Sequence, residues 1–300
     1  MTTSKKKHVL ILGAAGMLGH KLYQVHKNRF TVWATVRSSY TNYAKYGIFD
    51  SNDIIDDVDV NNFDKIVDIL AGLRPDVVIN CIGIIKQLKA AKDPIVSIHI
   101  NSLLPHRLAS LCQASNARFL HISTDCVFNG KKGSYTEEDP SDATDLYGRT
   151  KFLGETNRQG CLTLRTSIIG RELSTARGLI EWFLSNRKGK VKGFKRAIYT
   201  GFTTLALAEI VADVIENHPD LSGKYHVSSD PIDKYSLLCL VRDAFGIQIE
   251  IEPEINTVID RSLDSRRFRS ETRFKPPSWP EMIKQMAQDP TPYDKFLEYR

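Results

Sequence analysis

The amino-acid sequence predicts an α/β fold in which a doubly wound parallel sheet is joined to a smaller mixed α+β domain. In the first half of the chain, short apolar runs alternate with amphipathic helical segments. This alternation is typical of βαβ units in a parallel sheet that is covered on both faces. A glycine-rich turn directly follows the first apolar run, whereas the second half of the chain is less regular.

The elements of the first half follow from hydrophobic periodicity. Residues 8–13 are a continuous apolar run, and residues 30–36 are rich in β-branched and aromatic side chains; both patterns predict strands. Leu18, Leu22 and Val25 recur at helical spacing and predict the first helix. Further strands are predicted at residues 76–83, 118–124 and 162–167, and further helices at residues 63–70 and 98–113 and around Tyr147.

The second half contains fewer regular signals. Helical periodicity covers residues 203–216 and 234–245, and residues 247–252 alternate between apolar and charged side chains as a half-exposed strand does. A proline-rich turn in the tail precedes one more short helix. We therefore expect a smaller domain after residue 170, with a return of the chain to the first domain around residues 200–220.

Composition indicates a globular enzyme rather than a nucleic-acid or membrane protein. The 300 residues are 42% hydrophobic and carry a net charge of +6. The basic runs at residues 5–7 and 187–196 are interpreted as solvated faces, since neither reaches the density of a nucleic-acid arm. No apolar run approaches the ~18 residues of a membrane span. The five cysteines form no Cys-x-x-Cys pair or cluster with histidine, which predicts reduced thiols, a cytoplasmic protein and no metal site.

The turn after the first strand predicts a dinucleotide site of the Rossmann type. Gly13, Gly16 and Gly19 form a G-x-x-G-x-x-G motif between a strand and a helix. Without side chains, such a turn lets backbone N–H groups and the helix N-terminus approach a pyrophosphate. The predicted contacts also include Ala15, Met17 and Leu18.

The end of the second predicted strand favours NADP(H) over NAD(H). NAD-specific sites usually place an acidic residue there to accept the ribose 2′-hydroxyl, but no acidic residue occurs between Gly13 and Asp50. Arg37 and Ser38 stand at that strand end instead, and a guanidinium suits a 2′-phosphate. Residues 1–170 are thus predicted to form an NADP(H)-binding Rossmann domain, and residues 171–300 mainly a substrate domain.

A Tyr-x-x-x-Lys pair lies in the stretch DLYGRTKFLGE. Tyr147 and Lys151 are one helical turn apart and therefore share one face, while Leu146, Phe152 and Leu153 can anchor the helix. A nearby cation favours the ionised form of a phenol and makes it a better proton shuttle. The same spacing also occurs in ordinary surface helices, so the spacing alone does not identify a catalytic pair. The other motifs of the chain are needed for that assignment.

In combination, the motifs resemble the extended short-chain dehydrogenase/reductase family. The glycine turn, Arg37, NCIG (residues 80–83), STD (123–125) and YGRTK (147–151) occur in that family's order. Within the family, HISTDCVFNGKKGSYTEEDP followed by YGRTKFLGE resembles the dTDP-4-dehydrorhamnose reductase branch. The later segments GKYHVSSD and DRSLDSRRF are similar to the same branch, so the resemblance extends over nearly the whole chain.

This resemblance implies roles for individual residues. Tyr147 would donate a proton to the substrate carbonyl oxygen, Lys151 would lower the pKa of Tyr147 and hold the nicotinamide ribose, and Thr124 would hydrogen-bond the reacting oxygen. Asn101 would either organise the polar network of the active site or serve as a buried structural amide. The remaining cofactor contacts implied are Asp59 and Val60 at the adenine, and Cys81, Ile82 and Gly83 beside the ribose.

The substrate side follows the branch less closely. Cys126 stands where the branch usually has a tyrosine, and Ile168 where it usually has a tryptophan, so the sugar is expected to differ from dTDP-4-dehydrorhamnose. Related dehydratases have an Asp-Glu pair after the threonine, but here Cys126 follows Asp125, which disfavours dehydration. Arg261 matches the arginine that meets the substrate diphosphate, while the neighbouring arginines at 266, 267, 269 and 273 are expected to form a solvated face.

Three functions are compatible with these features. The first is NADPH-dependent reduction of the 4-keto group of a nucleotide-linked 6-deoxyhexulose for bacterial surface polysaccharide. The second is a nucleotide-sugar epimerase that keeps NAD tightly bound, and the third is a non-enzymatic NADP-binding regulatory subunit. The expected partner is a nucleotide-diphosphate sugar, with neither nucleic acid nor membrane, and a homodimer is compatible with the sequence.

Overall fold

The computed structural model describes residues 6–297, which form one large sheet, one small three-stranded sheet and a two-stranded pair of Ile168–Ile169 and Phe202–Thr203. The strands, in chain order, are β1 (His8–Leu12), β2 (Thr31–Thr35), β3 (Ile54–Ile55), β4 (Val77–Asn80), β5 (Arg118–Thr124), β6 (Cys161–Thr166), β7 (Ile168–Ile169), β8 (Lys190–Tyr199), β9 (Phe202–Thr203), β10 (Gly223–His226), β11 (Ile232–Asp233) and β12 (Glu250–Asp260). The helices are α1 (Gly19–His26), α2 (Thr41–Ala44), α3 (Phe63–Leu73), α4 (Pro94–Ser97), α5 (Leu104–Ala114), α6 (Leu146–Leu153), α7 (Leu179–Ser185), α8 (Thr204–Asn217), α9 (Lys234–Phe245), α10 (Arg266–Thr272) and α11 (Trp279–Ala287).

The large sheet confirms the predicted doubly wound architecture. It has seven strands in the order β10-β6-β5-β4-β1-β2-β3, and every pair in it is parallel. The chain moves outward from β1 in one direction through β2 and β3, then returns to continue on the other side with β4. This reversal opens a crevice at the carboxyl ends of β1 and β4, where open α/β sheets bind ligands.

The central strands are buried on both faces, which explains their continuous apolar runs. Val9 and Ile11 pack into a core shared with α1 and α8, while Leu10 and Leu12 pack into a second core shared with α3 and α5. Because successive side chains of a strand point to opposite faces, each face of β1 packs against a different layer of helices. The sheet is therefore the rigid base of the crevice.

The chain returns to the large sheet in its second half. Helix α8 lies beside α1, where the His26 ring bonds the Ala208 carbonyl oxygen at 3.1 Å and Arg29 pairs with Glu209 at 2.6 Å. Strand β10 then pairs with β6 at the edge of the sheet. The division of the chain at residue 170 into a cofactor part and a substrate part stays a prediction.

The small sheet differs from what the sequence suggested. The basic run at residues 187–196, interpreted as a solvated face, contributes most of β8, which pairs with both β11 and β12. Lys192 and Lys195 point to solvent while Val191 and Ala197 are buried. Lys192 thus lies on the face opposite to Val191 and Ala197, whereas Lys195 is on their face and lies over the Tyr235 ring at 4.9 Å from its centroid. The strand predicted at residues 247–252 is β12, which begins at Glu250 and continues to Asp260.

One predicted helix is also divided. Ile98–Leu103 forms a π-helical turn, and regular helix resumes as α5. At this turn the Asn101 carbonyl oxygen lies 1.9 Å from where a Cβ of Gly154 would be. Only glycine therefore fits at the end of α6, and the two segments meet backbone to backbone.

The glycine turn depends on a similarly close contact, which gives the first prediction. A Cβ on Gly19 would lie 2.2 Å from the Gly13 carbonyl oxygen and 2.9 Å from Ala14 Cα. Because these are backbone atoms, Gly19→Ala must displace α1 from β1, and we expect the free energy of unfolding to fall by about 1–3 kcal/mol. Urea unfolding followed by tryptophan fluorescence measures this change.

Gly72→Ala is the matched control, since Gly72 lies within α3 and a Cβ added there would meet no atom within 4 Å. There the alanine should stabilise the protein by about 0.5–1 kcal/mol through helix propensity. Equal effects of the two substitutions would contradict the close contact at Gly19.

Candidate active site

The glycine turn presents open backbone at the carboxyl end of β1. Gly13 has φ of +86°, which favours glycine, and its N–H donates to Thr35 Oγ1 at 3.2 Å. Gly16 is exposed, and its N–H bonds the Gly13 carbonyl oxygen at 3.2 Å. Ala15 and Met17 are half-buried and Leu18 is buried. The turn leads into α1, whose first turn has no acidic residue, so the backbone present here fits a pyrophosphate.

A guanidinium extends into solvent at the end of β2. The Arg37 side chain is 80% exposed, and one of its terminal nitrogens lies 3.5 Å from an Asp59 carboxylate oxygen. Ser38 donates to the Tyr43 hydroxyl at 3.0 Å, and Val60 is buried beneath this loop. The structure therefore brings the predicted ribose-phosphate and adenine residues together, with the cation accessible to a phosphate group.

The turn after β4 forms the next wall of the crevice. The Cys81 N–H bonds the Leu12 carbonyl oxygen at 3.0 Å, and the Ile82 N–H bonds Asn80 Oδ1 at 3.1 Å. Burial raises the pKa of the Cys81 thiol to about 12, with nearby Lys151 opposing the shift. Cys81 is therefore neutral at physiological pH, and exposed Gly83 continues the turn towards solvent.

Asn101 holds this turn in place. Its Oδ1 accepts from the Ile84 N–H at 2.8 Å, and its Nδ2 donates to the Ile84 carbonyl oxygen at 3.0 Å and to Thr150 Oγ1 at 3.4 Å. The side chain is only 1% exposed. In the structure Asn101 is thus a buried structural amide, and its contact with Thr150 also links the turn to α6.

Helix α6 places Tyr147 over the end of β5. Asp145 caps the helix by accepting from the Gly148 N–H at 2.9 Å. Burial raises the pKa of the Tyr147 hydroxyl well above its usual range, and the neighbouring Cys126 adds to the shift, while the nearby Thr124 hydroxyl opposes it. Lys151 is not among the main causes of this shift, and its predicted effect on the pKa of Tyr147 stays a prediction. Tyr147 is a protonated hydroxyl near Thr124.

Lys151 is buried one helical turn after Tyr147. Its ammonium donates to the Ile122 carbonyl oxygen at 2.8 Å, and the residue is 6% exposed. Burial lowers the pKa of Lys151 to about 8, although Glu155 and Cys81 oppose the shift. A lysine in this state changes its charge near neutral pH, as functional lysines often do.

The predicted substrate residues gather next to Tyr147. Asp125 accepts from Thr124 Oγ1 at 3.1 Å, and burial raises its pKa, with Arg261 among the groups that oppose the shift. Burial also raises the pKa of the Cys126 thiol to about 12, so this thiol is not a base or nucleophile at neutral pH. Arg261 donates to the Phe128 carbonyl oxygen at 2.8 Å, which directs it towards the same edge of the sheet.

The other arginines of this region form contacts at the protein surface, as expected. Arg266 is 86% exposed and pairs with Asp264 at 2.6 Å. Arg267 pairs with Glu271 at 3.2 Å and lies over the Tyr225 ring. Arg269 donates to the Ser228 carbonyl oxygen at 3.0 Å. These contacts stabilise α10, whereas Arg261 is the arginine of this stretch that is among the groups opposing the raised pKa of Asp125 and of Cys126.

Sequence reasoning did not assign two charged residues of the site. Lys86 lies 3.0 Å from Asp145 and 5.5 Å from the centre of the Tyr147 ring, so it covers the phenol from the solvent side. Glu155 forms a buried ion pair with Arg165 at 2.7 Å and accepts from Ser123 Oγ at 2.7 Å. Glu155 could have been noticed as the only carboxylate following Lys151 in the motif, whereas nothing in the sequence marks Lys86.

Metal-binding clusters and membrane-spanning helices are two further features that bear on function. Residues 6–297 contain no group of three or more His, Cys, Asp or Glu side chains that could hold a metal ion. No helix in the same range is long and apolar enough to cross a bilayer.

Comparison with known proteins gives the family. Residues 7–291 match the family model of the RmlD substrate binding domain. The chain belongs to this family. This confirms the resemblance to the dTDP-4-dehydrorhamnose reductase branch of the extended short-chain dehydrogenases/reductases, which rested on the sequence motifs.

The individual relatives are distant in sequence. The methionine adenosyltransferase 2 subunit beta of Mus musculus is 24% identical over 255 residues, covering 80% of this chain and 73% of that protein. The spore coat polysaccharide biosynthesis protein SpsK of Bacillus subtilis is 27% identical over 232 residues, which cover 72% of this chain and 80% of that protein. The dTDP-4-dehydrorhamnose reductase of Bacillus anthracis, solved in complex with NADP, superposes with a TM-score of 0.77 at 20% identity and covers 95% of this chain and 99% of that one.

The buried lysine gives a pH-dependent prediction for this RmlD-family chain. The pKa of Lys151 falls from 10.5 to about 8 on folding, so between these pH values the unfolded chain binds a proton that the folded chain does not. Stability contributed by this residue therefore rises with pH across that window. We expect Lys151→Met to be more stable than wild type at pH 7, with the difference shrinking towards pH 10.

Urea unfolding of both proteins at several pH values between 7 and 10 measures the difference. Lys92→Met, which removes an exposed lysine, is the control for the loss of one positive charge. A stability difference between wild type and Lys151→Met that stays constant over the window would show that Lys151 is not held with a lowered pKa.

Proposed function

We propose that the protein is an NADPH-dependent reductase of the 4-keto group of a nucleotide-linked 6-deoxyhexulose, acting in the cytoplasm in the synthesis of bacterial surface polysaccharide. The observation that carries the proposal is the placement of Tyr147 near Thr124 at the carboxyl end of β5, with Lys151 buried one helical turn later and bonded to Ile122 of the same strand. This arrangement offers a carbonyl oxygen two hydroxyl groups next to the crevice of the sheet.

The chain's residues would divide the reduction as follows. Thr124 and Tyr147 hold the carbonyl oxygen, and Tyr147 gives it a proton while the carbonyl carbon accepts a hydride, which yields an alcohol. NADPH, when bound, supplies that hydride. Because burial keeps the Tyr147 hydroxyl protonated, it is available as an acid, and the positive charge of Lys151 offsets the negative charge left on the phenolate.

The cofactor assignment is supported by the shape and charge of the crevice. The backbone of the glycine turn is open, and the Arg37 guanidinium is exposed, with Asp59 at 3.5 Å as its ion-pair partner. Such a guanidinium can bind a 2′-phosphate bidentately. The Bacillus anthracis structure with NADP adds support from a relative of the same fold.

The substrate class is supported by the family and by the charges near Tyr147. Arg261 lies near Asp125 and Cys126, where it can meet a diphosphate. The name of SpsK connects one relative with polysaccharide synthesis. The neutral Cys126 thiol stands in place of the acidic residue that a dehydratase needs, which supports reduction over dehydration.

A regulatory subunit is the second candidate, since the methionine adenosyltransferase 2 subunit beta is among the relatives. Such a protein would bind NADP without consuming it. The nucleotide-sugar epimerase remains a third candidate, and purified protein that retains NAD and turns over a sugar without added cofactor would favour it. A homodimer would be compatible with any of the three.

Tyr147→Phe tests the reductase. We expect wild type to oxidise NADPH with at least one member of a panel of UDP- and dTDP-4-keto-6-deoxyhexoses, followed by NADPH absorbance. The substitution removes the proton donor, so kcat should fall by about 10²–10⁴-fold while NADPH affinity changes little.

Tyr43→Phe is a control that removes a hydroxyl from the Ser38 loop, away from Thr124. Its kcat should stay close to that of wild type. Unchanged NADPH oxidation by Tyr147→Phe would contradict the assigned proton donor, and NADPH binding without turnover of any panel member would favour the regulatory subunit.

Arg37→Ala tests the cofactor preference. Because the guanidinium is expected to pair with the 2′-phosphate, the variant should bind NADPH about 10-fold or more weakly and NADH with nearly unchanged affinity. Fluorescence titration of the reduced nicotinamide measures both constants. Arg266→Ala, at an arginine that pairs with Asp264, should leave both unchanged, and equal losses for NADPH and NADH in Arg37→Ala would refute the preference.

A further inference from the structure

The substrate side contains an aromatic hydroxyl that the family motif does not account for. Tyr199 is the last residue of β8 in the small sheet. A Cβ on Gly201 would lie 2.2 Å from both the Tyr199 hydroxyl and the Ser167 carbonyl oxygen, so the hydroxyl lies beside the residue that follows β6. A residue from the second half of the chain thus reaches the end of the strand next to β5, which carries Thr124.

The Tyr199 hydroxyl is buried and unpaired among the described residues. Tyr199 is 8% exposed, and its hydroxyl is one of the few buried side-chain polar atoms within residues 6–297 that form no hydrogen bond. Ser167 is near enough to favour ionisation, but the contact lacks hydrogen-bond geometry. Buried polar groups in folded proteins are nearly always paired, so an orphan donor at this place needs an explanation.

The surroundings hold the ring in one position. A Cβ on Gly201 would lie 2.2 Å from the Tyr199 hydroxyl and 2.2 Å from the Ser167 carbonyl oxygen, so only glycine lets the ring end reach this point. The Trp279 ring supports Tyr199 from the side at 5.5 Å between centroids. A side chain fixed in this way is preorganised to bind a ligand.

The hydroxyl is also at the correct end of the large sheet. Ser167 directly follows β6, whose last residue, Thr166, is in register with Thr124 of β5. Thr124 and the neighbouring Asp125 belong to the candidate active site. The Tyr199 hydroxyl therefore lies at the carboxyl edge of the sheet, on the side where the small sheet contributes to the substrate region.

We propose that Tyr199 is a substrate-contacting residue whose hydroxyl donates a hydrogen bond to a ring hydroxyl or ring oxygen of the sugar, in place of the tyrosine that Cys126 replaces. The inference rests on the proposed reductase function and names a residue that sets its sugar specificity. It explains how the pocket can lose the aromatic residue at 126 and still position a hexose.

Tyr199→Phe tests the inference because it removes only the hydroxyl. The KM for the keto-sugar nucleotide should rise about tenfold, the loss expected for one hydrogen bond, while kcat and the affinity for NADPH stay close to wild type. The melting temperature should stay the same or rise, since the variant eliminates an unpaired buried donor. A purely structural hydroxyl would not produce this separation of KM from stability.

Tyr225→Phe is the matched control. Its hydroxyl is bonded to Glu271 on the far side of the edge strand β10, so its removal should lower the melting temperature and leave the KM unchanged. Calorimetric titration of each protein with the keto-sugar nucleotide, in the presence of NADP⁺, gives binding independently of turnover.

The outcomes separate the inference from the function on which it rests. If wild type binds and reduces a keto-sugar nucleotide and Tyr199→Phe does so with the same KM and affinity, the inference is wrong and the proposed function stands. If wild type neither binds nor reduces any sugar of the panel, the proposed function is wrong and the inference falls with it.

Discussion

A buried ion pair between Arg165 and Glu155 holds the candidate active site together. Arg165 is fully buried in β6, and two of its nitrogens bond the two Glu155 oxygens at 2.7 Å each. Glu155 follows α6 and also accepts from Ser123 of β5. The pair thus ties the end of the helix that carries Tyr147 to two adjacent strands. Removing one partner of such a pair typically costs about 3–5 kcal/mol, because it leaves a buried charge uncompensated.

The same ion pair affects the chemistry above it. Glu155 favours the charged form of Lys151, whereas burial opposes that form. The balance leaves the pKa of Lys151 at about 8, so Glu155 helps this buried lysine to keep its proton at neutral pH. One carboxylate, that of Glu155, therefore both anchors the end of α6 to the sheet and favours the charged form of Lys151.

The large sheet and its glycine turn were predictable from the sequence, whereas the small sheet and much of the substrate side were not. Continuous apolar strands such as β5 follow directly from burial on both faces. Strand β8 was missed because its exposed lysines and arginines, two of them adjacent at Lys195 and Arg196, interrupt the alternation with buried Val191 and Ala197. Tyr199 could not be placed at this edge of the sheet because only the tertiary fold brings the end of β8 next to Ser167, which follows β6. The raised pKa of Tyr147 likewise depends on burial, which residue spacing does not reveal.

The folding stability lost at the candidate active site bears on the choice between an enzyme and a regulatory subunit. A subunit that only binds NADP needs the open glycine turn and a phosphate-binding cation, but it has no use for a buried lysine or for an acid held beside a threonine. Burial of Lys151 opposes its charge and so reduces stability, and the Tyr199 hydroxyl, unpaired within residues 6–297, adds a further cost. Unfavourable groups gathered at one edge of a sheet are characteristic of catalytic sites. The combination therefore favours a reductase over a partner protein that has kept only the fold.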